Sequence, residues 1–263
     1  MIEIRKKSKD FIKNLLPLNL YFYDLDLDKN FHLMQGNRKS FFQETMKKMS
    51  LSELFILFRT DKAKMYENSI YSFEKKKYVK SLVVGHDYSK AYDFPNRKKI
   101  KNIVEIGSFY GSSSAAFAAY FYNSTIYCID VNFEKNFVKS NRIKKIICDQ
   151  SNQDKLIQIV ERFKLKKQID FISDDGIHKD DYIIKSFIIL FPNLKKNGCY
   201  VIEDITKEGN PEIYKLFIMK KFRKILSLSL SKVIKKIVVL KSNVNFRTQS
   251  NSNENFIIKI FKN

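Results

Sequence analysis

The chain is poor in the residues that build metal–sulfur sites, cross-links and sharp turns. It has three cysteines, three histidines, four prolines and seven glycines in 263 residues. Cys128, Cys148 and Cys199 stand in or beside apolar runs, with no CxxC or Cys/His spacing. That excludes a zinc-finger framework and a disulfide scaffold, and reads as buried free thiols in a reducing, cytoplasmic compartment. No apolar run approaches the roughly 20 residues that span a bilayer. Met1-Ile-Glu-Ile-Arg-Lys-Lys lacks the apolar core and cleavage site of a signal peptide. Four of the scarce glycines, Gly107, Gly111, Gly176 and Gly198, fall in the middle third at turn-like positions.

Acidic residues are also scarce: 28 against 49 lysines and arginines, a formal charge of +21. Such an excess suits a polyanionic partner, nucleic acid or an anionic membrane, or reflects compositional drift toward Lys, Ile, Asn and Phe. The lysines are spread along the whole chain and form no single block, which favours drift. No specific nucleic-acid partner is therefore expected. An anionic small-molecule or glycan acceptor, such as a nucleotide-linked sugar, would still be attracted. Lys7–Leu16 reads as a packed first helix with a solvated basic face, with weak membrane-surface contact as its alternative. Assembly into a homo-oligomer stays open.

Two regions differ in pattern. Residues 1–96 read as a mostly helical and irregular extension, with helices at Lys39–Met49 and after Ser52, an N-cap for Glu53–Phe58. Residues 97–263 alternate between short apolar runs and helices of roughly ten residues, the signature of an α/β doubly wound parallel sheet. Strands are expected at Asn102–Ile106, Thr125–Ile129, Lys145–Ile147, Ile169–Ser173 and Cys199–Ile202, with helices at Ser112–Tyr122, Gln153–Phe163 and Asp180–Phe191. After a helix at Glu212–Leu226, Lys235–Lys241 and Asn255–Phe261 form an antiparallel C-terminal hairpin and complete a Rossmann-like, seven-stranded sheet.

The chemistry gathers at strand ends. Asp174-Asp175-Gly176-Ile177-His178 closes the fourth strand, and Glu203-Asp204 the fifth. Neighbouring parallel strands would bring these carboxylates together, where they repel unless a cation or a proton holds them. Solvated strand ends with helix caps are the simpler reading of one such pair. Two pairs with a histidine nearby favour a site. Hard oxygen ligands suit Mg²⁺ ahead of Ca²⁺ or Mn²⁺, and zinc is disfavoured without a second histidine or cysteine. Imidazoles titrate near about 6.5, so His178 is the natural general base. His86 lies in a Gly-His-x-Tyr loop that could reach over the pocket.

Glu105-Ile-Gly107-Ser-Phe-Tyr-Gly111 closes the first strand, and Asp130 ends the second. Gly107 permits a tight turn, Gly111 lets a helix start close to a ligand, and Tyr110 and Ser112 line the same turn. Asp130 is placed to accept both ribose hydroxyls. Asp149 and Gln150, after the third strand, suit an adenine pocket. Phe109 at the second glycine position breaks G-x-G-x-x-G. E-x-G-x-x-x-G with a later Asp is closer to the S-adenosylmethionine sites of class I methyltransferases than to nicotinamide sites.

With these residues in view, the sequence resembles the metal-dependent sugar O-methyltransferases typified by the mycinamicin and demethylmacrocin enzymes. The resemblance runs over about residues 51–205. Its motifs are Leu51-x-Glu-Leu-Phe55, Thr60-Asp61-Lys62, His86-x-Tyr88-x-x-x-Tyr92, Glu105-Ile-Gly107, Ile129-Asp130, Asp149-Gln150-Ser151, Asp174-Asp-Gly-x-His178, Leu190-Phe-Pro-x-Leu-Lys195 and Tyr200-Val-Ile-Glu-Asp204. It implies S-adenosylmethionine as methyl donor and a chelated sugar diol as acceptor. It also implies Asp175, Glu203 and Asp204 on Mg²⁺, and His178 as base. Thr60, Lys62, His86, Tyr88 and Tyr92 would help close the cofactor and substrate pocket. Asp174 is either a cofactor contact or a support for the metal ligands. Ile177, Ser112 and Ile205-Thr-Lys-Glu-Gly209 depart from the family pattern, so acceptor specificity is expected to differ.

Overall fold

The computed structural model describes residues 46–72, 77–134, 137–206, 232–242, 246–248, 251–253 and 255–263. The expected helices at Lys7–Leu16 and Glu212–Leu226 lie outside these residues, as does all of Lys39–Met49 before residue 46.

Helix α1 (Leu51–Leu57) begins two residues earlier than the sequence reading placed it. Its N-cap is Ser50, not Ser52. Ser50 Oγ accepts from the Glu53 backbone N–H at 3.2 Å, and Glu53 Oε2 accepts from the Ser50 N–H at 2.9 Å. This reciprocal pairing requires the Ser-x-x-Glu spacing, which Ser52 lacks. Strands β1 (Met65–Ser72) and β2 (Lys77–Val84) then form an antiparallel hairpin where helical or irregular chain was expected. Tyr66, Ile70 and Tyr71 on one strand, and Tyr78, Val79 and Val83 on the other, are residue types that favour strands.

The remaining strands are β3 (Asn102–Ile106), β4 (Thr125–Asp130), β5 (Ile143–Ile147), β6 (Ile169–Asp174), β7 (Leu194–Thr206), β8 (Ile234–Lys241), a short ribbon of β9 (Phe246–Thr248) and β10 (Asn251–Asn253), and β11 (Asn255–Lys262). Seven of them form one sheet in the order β5-β4-β3-β6-β7-β11-β8. β3 to β7 run parallel, and β11 lies antiparallel between β7 and β8. The sheet is the α/β, doubly wound, Rossmann-like sheet with the antiparallel terminal pair that the sequence pattern implies. β7 is much longer than the apolar Cys199–Ile202. Its first half is the polar Leu194–Gly198, where the pairing with β6 is irregular and Asn197 has φ 62°.

Helices α2 (Ser112–Tyr120), α3 (Gln153–Arg162) and α4 (Asp180–Leu190) connect the strands. α3 and α4 pack on one face over Ile129, Ile172, Tyr200 and Ile202. α2 and α1 cover the other, with Phe55, Tyr92, Phe117, Phe121 and Phe171 in one aromatic core. The chain leaves β3 toward β4 and β5, then returns to add β6 on the opposite side. The carboxyl ends of β3 and β6 therefore flank the point where the winding reverses, the place where such sheets bind ligands.

Candidate functional site

The turn after β3 and the loop after β6 touch through their backbones. Gly107 has φ 77°, and a Cβ there would meet the Asp175 carbonyl oxygen at 2.0 Å. The Asp175 N–H donates to Ile106 O at 3.0 Å, and the Gly107 N–H to Ile129 O at 2.9 Å. The expected donor turn and the acidic loop are thus one structure.

Glu105 ends its strand fully buried. Its Oε2 accepts from Ser114 and, at 3.3 Å, from Ser108. Among the described residues no hydrogen-bond donor reaches its buried Oε1. Burial lifts the Glu105 carboxyl above its ordinary pKa, with Lys62 and the serines opposing. A buried acceptor oxygen left open fits a ligand that brings its own donor, such as an ammonium group. Asp130 accepts from the Phe109 N–H at 3.0 Å and so closes the glycine turn, while remaining half-buried. Gly111 has φ 80° and starts α2, with Ser112 in its first turn and Phe109 and Tyr110 at the open edge. Asp149 is exposed and folded back on the Ser151 N–H at 2.7 Å, a bond that lowers its pKa.

Gln150, expected at the cofactor, and Asp174, expected either there or in support of the metal ligands, face each other. Gln150 Nε2 donates to Asp174 Oδ1 at 2.7 Å. Tyr200 OH and Ser186 Oγ donate to Asp174 Oδ2 at 2.5 and 3.2 Å. Asp174 therefore ties β6 to β7 and α4. Burial pushes its carboxyl up to about 6, against these hydrogen bonds. The native state then holds this proton more tightly than the unfolded chain. Its ionisation weakens the fold as pH rises from the ordinary value toward 6. Relative to Asp174→Asn, which does not titrate, the wild type is expected to lose about 3 kcal/mol between pH 3.5 and pH 7. Urea unfolding of both proteins across that range measures this, and parallel profiles would refute it.

The other acids meet residues from the N-terminal segment. The turn Thr60–Ala63 and the turn after β2 are laced together. His86 N–H donates to Asp61 O at 2.6 Å, Asp87 N–H to Ala63 O at 3.1 Å, and Tyr88 N–H to Lys62 O at 2.9 Å. Thr60 Oγ1 accepts from the Lys62 N–H at 3.3 Å, a support within the turn. This frame delivers Lys62 into the cluster, 1% exposed. Its Nζ lies 2.5 Å from Asp175 Oδ2 and 2.6 Å from Glu203 Oε2. Burial pulls the Lys62 pKa down, but Asp175 and Glu203 outweigh it and the net shift is upward, so the ammonium stays charged.

Tyr92 donates to Glu203 Oε1 and shares a 2.7 Å bond with Ser173 Oγ, which itself reaches Glu203 Oε1 at 2.8 Å. Tyr88 donates to Asp204 Oδ1 and stacks on His86, whose Nδ1 lies 3.6 Å from the same oxygen. Burial raises the pKa of both tyrosines, and Asp204 and Glu203 add to it, so both phenols remain donors. Tyr88 and Tyr92 were expected near substrate. They hold carboxylates. Ser173 was missed by the sequence reading, although a lone hydroxyl inside an apolar strand, next to an acidic end, was its signal.

Asp175, His178 and Asp204 each present one ligand atom, all within 4.8 Å of one another. His178 Nε2 is 3.6 Å from Asp175 Oδ1 and 3.9 Å from Asp204 Oδ2. Both His178 (φ 55°) and Asp204 (φ 50°) have left-handed backbones, a strain that gathers at functional sites. Glu203, expected with Asp175 and Asp204 on the metal, lies behind this trio against Lys62, Tyr92 and Ser173.

No family model matches the chain. Among curated proteins it is 29% identical over 130 residues to an 8-demethyl-8-α-L-rhamnosyl tetracenomycin-C 2′-O-methyltransferase of Streptomyces olivaceus, covering 46% of this chain and 33% of that one. It is 34% identical over 95 residues to a mycinamicin VI 2″-O-methyltransferase of Micromonospora griseorubida, and 30% identical over 95 residues to a demethylmacrocin O-methyltransferase of Streptomyces fradiae. Each of these two matches covers 36% of this chain and 23% of the relative, so the chain spans a third or less of the curated relatives it matches. Among solved structures, the MycE methyltransferase of the mycinamycin pathway, in complex with Mg, SAH and mycinamycin VI, superposes with a TM-score of 0.57 at 23% identity. That match covers 82% of this chain and 55% of MycE. In sequence the chain resembles sugar O-methyltransferases, and its sheet is the class I methyltransferase fold.

Proposed function

We propose that the chain is an S-adenosylmethionine-dependent, Mg²⁺-assisted O-methyltransferase acting on a sugar that bears neighbouring hydroxyls. The observation that carries this reading is the convergence of Asp175, His178 and Asp204 within 4.8 Å, joined through Gly107 to a turn with an open buried oxygen on Glu105. The relatives named above, sugar O-methyltransferases and a structure holding Mg and SAH, support it.

The donor set fits both groups. Asp175 and Asp204 offer hard oxygens to Mg²⁺, and Glu105 offers its open oxygen to the amino group of the methyl donor. When bound, the metal lowers the pKa of a chelated hydroxyl and the donor presents an electrophilic methyl group. The protein does the rest. His178 Nε2, between the two aspartates, would accept the hydroxyl proton as the oxygen takes the methyl group, the carbon–sulfur bond breaking to release S-adenosylhomocysteine. Asp175 and Asp204 flank the imidazole and are themselves held by Lys62 and by Tyr88. Gly107 and Asp130 fix the turn that would hold the donor.

Calorimetry with S-adenosylmethionine, and tritium transfer from labelled donor to a panel of nucleotide sugars and glycosides, test the reading. Donor binding and EDTA-sensitive transfer to a sugar are expected. Absence of donor binding, or full transfer with no metal present, would refute it. Transfer confined to catechols or RNA would refute the sugar.

A further inference from the structure

We infer that Lys62 is a built-in counter-ion of the carboxylate cluster, which holds the acids in place and limits how tightly the site grips a divalent cation. The inference rests on the reading that such a cation sits at Asp175 and Asp204.

The geometry is that of a fixed element, not a surface lysine that has folded inward. Lys62 is almost fully excluded from solvent, and its turn is locked to the turn after β2 by the three backbone hydrogen bonds described above. Its Nζ bridges two carboxylates, Asp175 on the loop after β6 and Glu203 on β7, at 2.5 and 2.6 Å. Glu203 is thereby saturated by protein donors: Lys62 on Oε2, Tyr92 and Ser173 on Oε1. Asp175 is half used, with Oδ2 on Lys62 and Oδ1 turned toward His178.

The charge balance gives this arrangement a consequence. Fully ionised, as a bound cation would hold them, Asp175, Glu203 and Asp204 carry three negative charges, and Lys62 cancels one. The remainder matches one divalent cation. Without the ammonium, two buried carboxylates would face each other unpaired, a costly state that a bound metal would relieve. Removing Lys62 should therefore weaken the metal-free fold and tighten metal binding together, because the carboxylate repulsion it leaves is relieved when a cation binds.

The test uses the full chain and Mn²⁺ as probe, with free Mn²⁺ read by electron paramagnetic resonance and thermal unfolding followed without metal. In Lys62→Met the metal-free Tm is expected to fall, and Mn²⁺ affinity to rise about tenfold or more. Should that variant fail to fold, a second pair carries the test. Glu203→Gln, which keeps the ammonium against fewer acids, should bind Mn²⁺ about tenfold more weakly than wild type. Adding Lys62→Met to it should restore the affinity. The counter-ion role is overturned if Lys62→Met binds Mn²⁺ no better than wild type, or if the double variant binds no better than Glu203→Gln. If the wild type itself binds no Mn²⁺, the metal reading fails. The metal-free Tm then judges Lys62 alone, an unchanged Tm removing the counter-ion.

Discussion

Replacing His178 with alanine is expected to slow methyl transfer about a thousandfold, the usual contribution of a positioned general base. Donor binding should be unaffected, because His178 lies on the acidic loop after β6 and not in the glycine turn. The informative quantity is metal affinity. His178 Nε2 belongs to the same trio of ligand atoms as Asp175 and Asp204, so geometry alone allows it to be base or ligand. Its distances of 3.6 and 3.9 Å to the aspartate oxygens are too long for direct hydrogen bonds, so nothing among the described residues occupies its Nε2 lone pair from that side. As a base, its loss spares Mn²⁺ binding and removes turnover. A variant that keeps wild-type turnover would end the base assignment, and one that loses Mn²⁺ would make the imidazole a ligand. His178→Asn, which keeps a polar group but cannot take the proton, should be as inactive as alanine.

Much of the sheet was legible because its strands are short apolar runs bounded by turns. Asn102–Ile106 matches its strand end for end, and the others differ by a few residues at most, except β7. The long β7 was hidden because its first half is polar and irregular, where hydrophobicity carries no signal. The β1/β2 hairpin was hidden because helical reading extends easily across mixed polar and apolar sequence.

The site was legible in its residue types more than in its wiring. Asp174 and Asp175 are adjacent, as are Glu203 and Asp204, and successive residues of a strand point to opposite faces. That alone argues against four carboxylates sharing one volume. The structure sends Asp174 to the α4 side with Gln150 and Tyr200, and Glu203 to the side of Ser173 and Tyr92. The left-handed backbone at Asp204 turns its carboxylate toward Asp175 and His178. The pairing of Lys62 with Asp175 and Glu203 spans 113 and 141 positions in sequence, beyond any local pattern. A motif can mark Thr60-Asp-Lys62 as present. Only the fold shows that its lysine is an internal cation.

The joint between the donor turn and the acidic loop yields the second large effect. Gly107→Ala should cost both ligands at once. A Cβ at this φ of 77° is strained in itself, and it would lie 2.0 Å from Asp175 O, 2.6 Å from Asp175 C and 2.9 Å from Gly176 Cα. These are backbone atoms, so no side chain can swing aside. The loop carrying Asp175 must shift. Left-handed strain and overpacking together are expected to remove about 2–5 kcal/mol of stability. Gly111→Ala is the control. Its φ of 80° is equally left-handed, but the three atoms nearest the added Cβ all belong to the ring of Phe137, the first at 2.8 Å. A ring can tilt, and no acidic residue is attached to it. Gly111→Ala should therefore weaken donor binding while leaving Mn²⁺ affinity near wild type, whereas Gly107→Ala should lose donor and metal together. Calorimetry with S-adenosylmethionine and Mn²⁺ resonance on both variants separate the cases. A Gly107→Ala protein with wild-type Mn²⁺ affinity would show that the two halves of the site are mechanically independent. Joint loss would mean that this glycine couples them, because the turn proposed to position the methyl donor is in backbone contact with Asp175, the residue proposed to hold the metal.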